Sequence, residues 1–183
     1  MMDITKCHTV AWRYGYTHFH YSGDPPHPVG MLVGEAPGPN TDARLPLYPA
    51  PTNSAAARLM KYAEIDPIDW MGKLVRVNMC DGPWSERRAT AGRAKVISYL
   101  LNKENFHDGR PLRVLLLGAR VAREWGCRGP FGRAVFFNAE EEPNLNVAWI
   151  PHPSGRNLLY NDRKNQLRAR NAVLWAIGDR SKP

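Results

Sequence analysis

The chain has 183 residues, of which 43% are hydrophobic, and this combination is typical of one middle-sized globular domain. Its 25 Lys and Arg residues exceed its 17 Asp and Glu residues, and the formal charge of +8 favours a polyanionic partner without identifying one. No apolar run of membrane-spanning length and no secretory leader pattern is present, so we expect a cytoplasmic protein without membrane association.

Residues 1–28 show neither helical nor strand periodicity. We expect them to form an amino-terminal arm that packs on a single domain, residues 29–183. The histidines of this arm match no common metal-binding spacing. The chain has an odd number of cysteines without C-x-x-C spacing, which predicts neither a disulfide framework nor a zinc site. These cysteines are Cys7, Cys80 and Cys127.

The first predicted strand is the apolar run of residues 31–33, which ends at Gly34. A short continuous apolar run is typical of a strand buried on both faces of a parallel sheet. It leads into residues 35–39, where prolines and a glycine surround the single carboxylate of Glu35. This stretch has two interpretations. Taken alone, it is typical of an ordinary turn between a strand and a loop. Alternatively, it forms a stiff loop that holds one carboxylate at the edge of the sheet where α/β folds bind ligands.

Strands and helices alternate along the rest of the chain, which predicts a three-layer α/β/α sandwich with a central parallel sheet of about four strands. Asn53 and Ser54 are expected to cap the first helix. The last helix is expected to present a stripe that contains Leu167, Val173, Leu174 and Ile177. Further strands are predicted at residues 73–77, 113–117, 134–138 and 146–150, and helices at 54–63, 86–101, 119–125 and 162–177.

Another strand, residues 146–150, also ends in a Pro/Gly loop, residues 151–157, which carries His152. The motifs GEAPG at 34–38 and HPSGRN at 152–157 together resemble the uracil-DNA glycosylase superfamily over about residues 29–177. The first motif is similar to that of the iron–sulfur prokaryotic branch, and the second to that of the single-strand-selective branch. Because the iron–sulfur branch holds its cluster with four cysteines and this chain has three, we predict no cluster, no metal and no other cofactor.

The resemblance implies a monomeric, monofunctional DNA glycosylase that flips a pyrimidine out of single- or double-stranded DNA and hydrolyses its N-glycosidic bond. Glu35 would align a water and offset the positive charge of the sugar, and His152 would donate a hydrogen bond to the departing base. The base would contact Gly34, Ala36, Asn78, Asp81 and Tyr48, with Leu47 as the alternative to Tyr48. The DNA would contact Pro37, Gly38, Ser154, Gly155, Arg156 and Asn157, and either Arg156 or Asn157 would enter the duplex where the base was removed.

Two departures from the family leave the choice of base open. The uracil-specific branch has a tyrosine that crowds the C5 position, whereas this chain has Gly38 and Pro39 in that part of the loop. Gly155 stands where the single-strand-selective branch has proline. The pocket is therefore expected to accept uracil or a 5-modified pyrimidine, in DNA repair or in antiviral defence against bulky hydroxymethylated or glucosylated phage bases.

Three rival functions agree less well with the sequence. A catalytically inactive DNA-binding relative is disfavoured because the acid, the amide and the imidazole are all retained. A small hydrolase or nucleotide-binding enzyme is disfavoured because G-x-S-x-G, G-x-G-x-x-G and the Walker-type motif are absent. A relative that traps DNA covalently would need a suitably placed histidine, for which the body of the chain offers only His107 and His152.

Overall fold

The structure, a computed structural model, describes residues 8–11, 18–21, 29–38, 46–49, 52–101, 113–132, 135–137 and 145–179. Its strands are β1 (His8–Ala11), β2 (His18–Tyr21), β3 (Gly30–Gly34), β4 (Leu74–Asn78), β5 (Arg113–Leu117), β6 (Val135–Phe137) and β7 (Leu145–Ile150). Its helices are α1 (Ala55–Ala63), α2 (Pro67–Lys73), α3 (Glu86–Leu101), α4 (Ala119–Glu124) and α5 (Arg163–Ala176), with a 3-10 helix at Leu158–Asn161. Among these helices, none has the length and apolarity needed to cross a membrane.

The central sheet has the strand order β4-β3-β5-β7-β6. The first four strands are parallel, and β6 pairs with β7 in the antiparallel direction at one edge. The prediction of a parallel sheet of about four strands is therefore confirmed, and the short extra strand predicted near residue 135 is the antiparallel edge strand.

Helices cover both faces of the sheet, which confirms the three-layer arrangement. Side chains of a strand point alternately to opposite faces, so neighbouring residues of one strand enter different core layers. Met31 and Val33 pack with α3 and α4, whereas Leu32 between them packs with α1, α2 and α5. The four parallel strands are buried on both faces, which explains why most of their residues are apolar.

The helix boundaries follow local capping. The Ser54 hydroxyl accepts a hydrogen bond from the Ala57 amide at 3.1 Å and starts α1, as predicted. The helix ends at Glu64, whose backbone is left-handed, with φ of 55°. The predicted helix over residues 86–101 is confirmed as α3 with the same bounds.

Several sequence-based expectations were wrong in detail. Helix α2 was not predicted, and β4 starts one residue later than expected because Lys73 ends that helix. In α5, Leu167 is 46% exposed and does not belong to the buried stripe. The other members of the predicted stripe, Val173, Leu174 and Ile177, do pack in the core layer, together with three small residues that were not predicted, Ala169, Ala172 and Ala176.

A strand pair also forms where no periodicity was recognised. Strands β1 and β2 pair in the antiparallel direction, with His8 opposite Tyr21 and Ala11 opposite His18. This hairpin belongs to the segment that was expected to be an irregular arm. The division into an arm and a single domain remains a prediction.

Candidate active site

The loops that carry the candidate site leave the same edge of the sheet, because β3, β4, β5 and β7 are parallel. Backbone hydrogen bonds continue past the strand ends and hold these loops together. The Met79 amide donates to the Gly34 carbonyl at 2.9 Å, and the Cys80 amide donates to the Glu35 carbonyl at 3.0 Å. The Gly118 amide donates to the Ile150 carbonyl at 2.8 Å, which ties the turn after β5 to the end of β7.

Glu35 follows β3, and its side chain is 28% exposed. Its Oε1 accepts a hydrogen bond from Nη1 of Arg120, in the first turn of α4, at 3.0 Å. Because the Arg120 side chain is 61% exposed, this ion pair contributes at most about 1 kcal/mol to folding, and its main effect is to fix the carboxylate. The only signal for Arg120 in the sequence was the predicted helix over residues 119–125, which begins at the ligand edge of the sheet.

His152 follows β7 and is half-buried. Burial lowers the pKa of its imidazole below the ordinary 6.5, and the Glu35 carboxylate, a smaller influence, raises it. Burial outweighs the carboxylate, so the imidazole is neutral at neutral pH. Strand β5 separates β3 from β7, but both loops leave the same edge of the sheet, and the influence of the Glu35 carboxylate on the imidazole pKa indicates that the two residues predicted to be catalytic lie near each other.

Gly118 allows the close approach of the loop that contains His152. Its φ of +109° lies in a region that side-chain-bearing residues rarely adopt. A Cβ placed at Gly118 would lie 3.6 Å from the His152 Cβ, in van der Waals contact. The turn after β5 therefore forms a side of the site although it carries no reactive group at this position.

Asn78 ends β4 and is 6% exposed. A Cβ at Gly34 would lie 2.5 Å from the Asn78 Oδ1, so the amide occupies the space that only a glycine at 34 leaves free. The same Cβ position is 3.5 Å from Leu47 Cδ2. Gly34, Asn78 and Leu47 therefore form one wall of the candidate site.

The segment that was expected to supply an aromatic ring brings Leu47 next to Gly34. The Leu47 backbone has a left-handed φ of 52°, and its carbonyl accepts a hydrogen bond from the Trp70 indole at 3.3 Å. Tyr48 is half-buried and packs against the core layer that contains α1 and α5. Of the two residues considered for this role, Leu47 is the one that lies against the wall formed by Gly34 and Asn78.

The remaining residues near the first motif differ in exposure. Ala36 packs against the core layer that contains α3 and α4, Pro37 is half-buried, and Gly38 is exposed. Asp81 is exposed, and its Oδ1 lies 4.0 Å from Nε of Arg88. Pro39 lies outside the described residues.

Cys80, between Met79 and Asp81, is buried. Burial is the largest cause that raises the pKa of its thiol, and the Asp81 and Glu35 carboxylates raise it further. The thiol therefore stays protonated at neutral pH, so Cys80 is not expected to act as a nucleophile.

Asn157 stabilises the second-motif loop, residues 151–157, through hydrogen bonds of its side-chain amide. Its Nδ2 donates to the His152 carbonyl at 2.9 Å, and its Oδ1 accepts from the Leu159 amide at 3.2 Å. The Tyr160 hydroxyl donates to the Pro151 carbonyl at 2.5 Å and fixes the start of the same loop. Asn157 was considered as a residue that enters the DNA duplex, but such a movement would break both of its hydrogen bonds.

Two adjacent leucines next to this loop were not predicted to be functional. Leu158 is 75% exposed and Leu159 is 48% exposed, which is unusual for a pair of large apolar side chains beside a polar loop. Arg156, which precedes them, is exposed, and no hydrogen bond or ion pair joins its side chain to another described residue. The pair was identifiable in principle as two leucines that directly follow HPSGRN.

Arg58 of α1 lies against Gly155 of the second-motif loop. A Cβ at Gly155 would lie 2.6 Å from Nη2 and 3.1 Å from Cζ of Arg58, so the guanidinium rests against the glycine backbone. A proline at this position would displace the guanidinium. Arg58 thus adds a positive charge from α1 to the second loop, next to Ser154, which is half-buried.

Among the described residues, no group of three or more His, Cys, Asp or Glu side chains is placed to hold a metal ion. Neither a scan against models of protein families nor a search of curated proteins finds a match to the chain. The function of the site is therefore inferred from its own geometry and from the two motifs.

Proposed function

We propose that the protein is a monofunctional DNA glycosylase that extrudes one pyrimidine from DNA and hydrolyses its N-glycosidic bond, leaving an abasic site. The observation that carries this proposal is that Glu35 and the neutral His152 imidazole both follow parallel strands at the ligand edge of the sheet, where the carboxylate influences the pKa of the imidazole. Cleavage of a glycosidic bond needs both groups, because a cationic sugar and an anionic base separate in the transition state.

In the proposed reaction, the bond between C1′ and the base nitrogen breaks, and its electron pair leaves with the base. The N–H of the neutral His152 imidazole donates a hydrogen bond to O2 of the base, where negative charge develops. Glu35 offsets the positive charge of the sugar and orients a water, whose oxygen forms a bond to C1′ and whose proton passes to the carboxylate. The departing base anion takes up a proton from solvent.

The side-chain amide of Asn78 would select the base. It presents one donor and one acceptor side by side, which matches O4 and N3–H of uracil, and the flipped amide matches cytosine. Gly38 is exposed and has no side chain to exclude a C5 substituent. We therefore propose uracil or a 5-modified pyrimidine as the substrate, and both DNA repair and antiviral defence against bulky modified bases are compatible with such a site.

A catalytically inactive DNA-binding protein is the second candidate. The ion pair between Glu35 and Arg120 favours it, because an acid held by a guanidinium cannot fully offset the sugar charge until the pair opens. Both candidates use the net charge of +8 to attract DNA.

The proposal is tested with single- and double-stranded oligonucleotides that each carry one altered pyrimidine, treated with protein and then with alkali to break abasic sites. We expect strand breaks at uracil or at a 5-modified pyrimidine. DNA binding without breaks on any member of the panel would favour the inactive candidate. Breaks at uracil alone would contradict a pocket open at C5.

Leu158 is proposed to fill the stack of bases when the target base leaves a duplex. Replacing it with alanine is expected to lower base release from duplex DNA about tenfold or more, because unstacking a base costs a few kcal/mol that an inserted apolar side chain partly offsets. Release from single strands should hardly change. Val29→Ala, which truncates an exposed apolar side chain just before β3, at the end of that strand opposite the site, is the control, and equal losses on both kinds of DNA would contradict the assignment.

A further inference from the structure

A second concave site lies beside the second-motif loop, between α1, the 3-10 helix and α5. Its volume is about 770 Å³, within the range of pockets that hold a nucleotide-sized ligand. The surface combines basic, aromatic and amide side chains. It is lined by Lys61, Tyr62, Glu64, Tyr160, Asn161, Arg163, Gln166, Leu167 and Arg170.

The cleft has an excess of positive charge. Arg170 Nη2 and Glu64 Oε2 form an ion pair at 2.9 Å on one side, and this pair is neutral as a unit. Lys61 and Arg163 are exposed, and no described acidic side chain pairs with either of them. Two uncompensated cations beside a neutralised pair favour an anionic ligand such as a phosphate group.

Stacked tyrosines form the apolar part of the cleft. The rings of Tyr62 and Tyr160 lie 5.4 Å apart with an interplanar angle of 21°. Tyr160 is buried and anchored through its hydroxyl to the Pro151 carbonyl, whereas Tyr62 is half-buried. The accessible part of Tyr62 is thus a supported aromatic surface, which suits contact with a nucleobase.

Helix α1 connects this cleft to the second-motif loop. Arg58 precedes Lys61 and Tyr62 by three and four residues, a spacing that puts side chains on the same side of a helix. The Arg58 guanidinium rests against Gly155, so positive charge extends from the loop along α1 into the cleft. A strand of DNA that crosses the loop would follow this line.

We propose that the cleft binds a second nucleotide of the substrate strand, outside the slot for the flipped base. Its phosphate lies between Lys61 and Arg163, and its base contacts Tyr62. The inference rests on the proposed function in one respect, namely that the ligand of the protein is DNA. It extends the contact with the strand beyond the two motifs.

The test measures binding of single-stranded oligonucleotides by fluorescence anisotropy while the flanks are shortened one nucleotide at a time, separately on each side of a central uracil. Wild-type affinity should fall about threefold to tenfold once one flank no longer reaches the cleft, and shortening the other flank should have no such step. In the double variant Lys61→Ala, Arg163→Ala the step should be absent. Its binding should also depend less on salt. The slope of the logarithm of the binding constant against the logarithm of the salt concentration should become shallower by about 0.7 for each phosphate that the variant no longer binds.

Lys164→Ala is the matched control, because this residue is also exposed and follows Arg163 but does not line the cleft. A variant that weakens binding equally at all lengths, or no more than the control does, would overturn the proposed site. Base release at saturating DNA reports the proposed function separately, because the cleft variants leave Glu35 and His152 intact. If the double variant still releases the base and still loses affinity when the flank is shortened, the proposed cleft is rejected and the proposed function is not.

Discussion

Replacing Glu35 with glutamine is expected to lower the single-turnover rate of base release by about 100- to 1,000-fold. Glutamine keeps the size and much of the hydrogen-bonding capacity of glutamate, but it carries no negative charge. It can neither stabilise a cationic sugar nor accept the proton of the attacking water. A large loss of rate with the structure preserved would identify the charge itself as the catalytic element.

The fold should tolerate this substitution. The only described ion pair of Glu35 is the one with Arg120, whose side chain is largely exposed, so unfolding midpoints should shift little. DNA affinity should be unchanged or higher, because the substitution removes a negative charge and frees the Arg120 guanidinium for phosphate. Glu86→Gln, an exposed acid in the first turn of α3, is the control for net charge. A rate of base release close to that of wild type would show that the Glu35 carboxylate is not catalytic.

The sheet could be predicted from the sequence because its four parallel strands are buried on both faces. Continuous apolar runs such as those of β3 and β5 leave few alternatives. Helix α2 was missed because a seven-residue helix offers too little periodicity to recognise. In α5 the predicted Val173 is buried together with small alanines that the pattern did not single out, and the larger Leu167 faces outward.

The site could be predicted only in part, because only some of its residues lie next to a recognisable strand or motif. Glu35, Asn78 and His152 stand at or just beyond the ends of predicted parallel strands, and such ends meet at one edge of a sheet. Arg120 and Arg58 act on the motifs from helices that are distant in sequence, so no local pattern connects them with Glu35 or Gly155. The exposure of Leu158 depends on how the 3-10 helix follows the loop, and the sequence alone does not determine it.

Replacing His152 with alanine is expected to lower the rate of base release by about 100-fold, because the hydrogen-bond donor to the departing base is removed. His152→Gln keeps an N–H donor and should recover part of that loss. Since burial lowers the pKa of the imidazole, wild-type activity should not decline as pH rises from about 6.5 to about 8. A decline across that interval would show that the protonated imidazole is the active form and would contradict the proposed role.

The same lowered pKa has a consequence for stability. The unfolded chain takes up a proton at His152 near its ordinary pKa of 6.5, whereas the folded chain resists protonation until the pH is lower. The unfolded state therefore binds more protons below about pH 6.5, and the free energy of unfolding falls as the pH falls, while the effect is absent at higher pH. Urea unfolding at about pH 5 and about pH 8 should show a smaller pH dependence for His152→Gln than for wild type, because the variant lacks the titrating group. Identical pH dependence in both proteins would mean that burial does not hold the imidazole neutral, and the neutral donor assigned to the site would have to be abandoned.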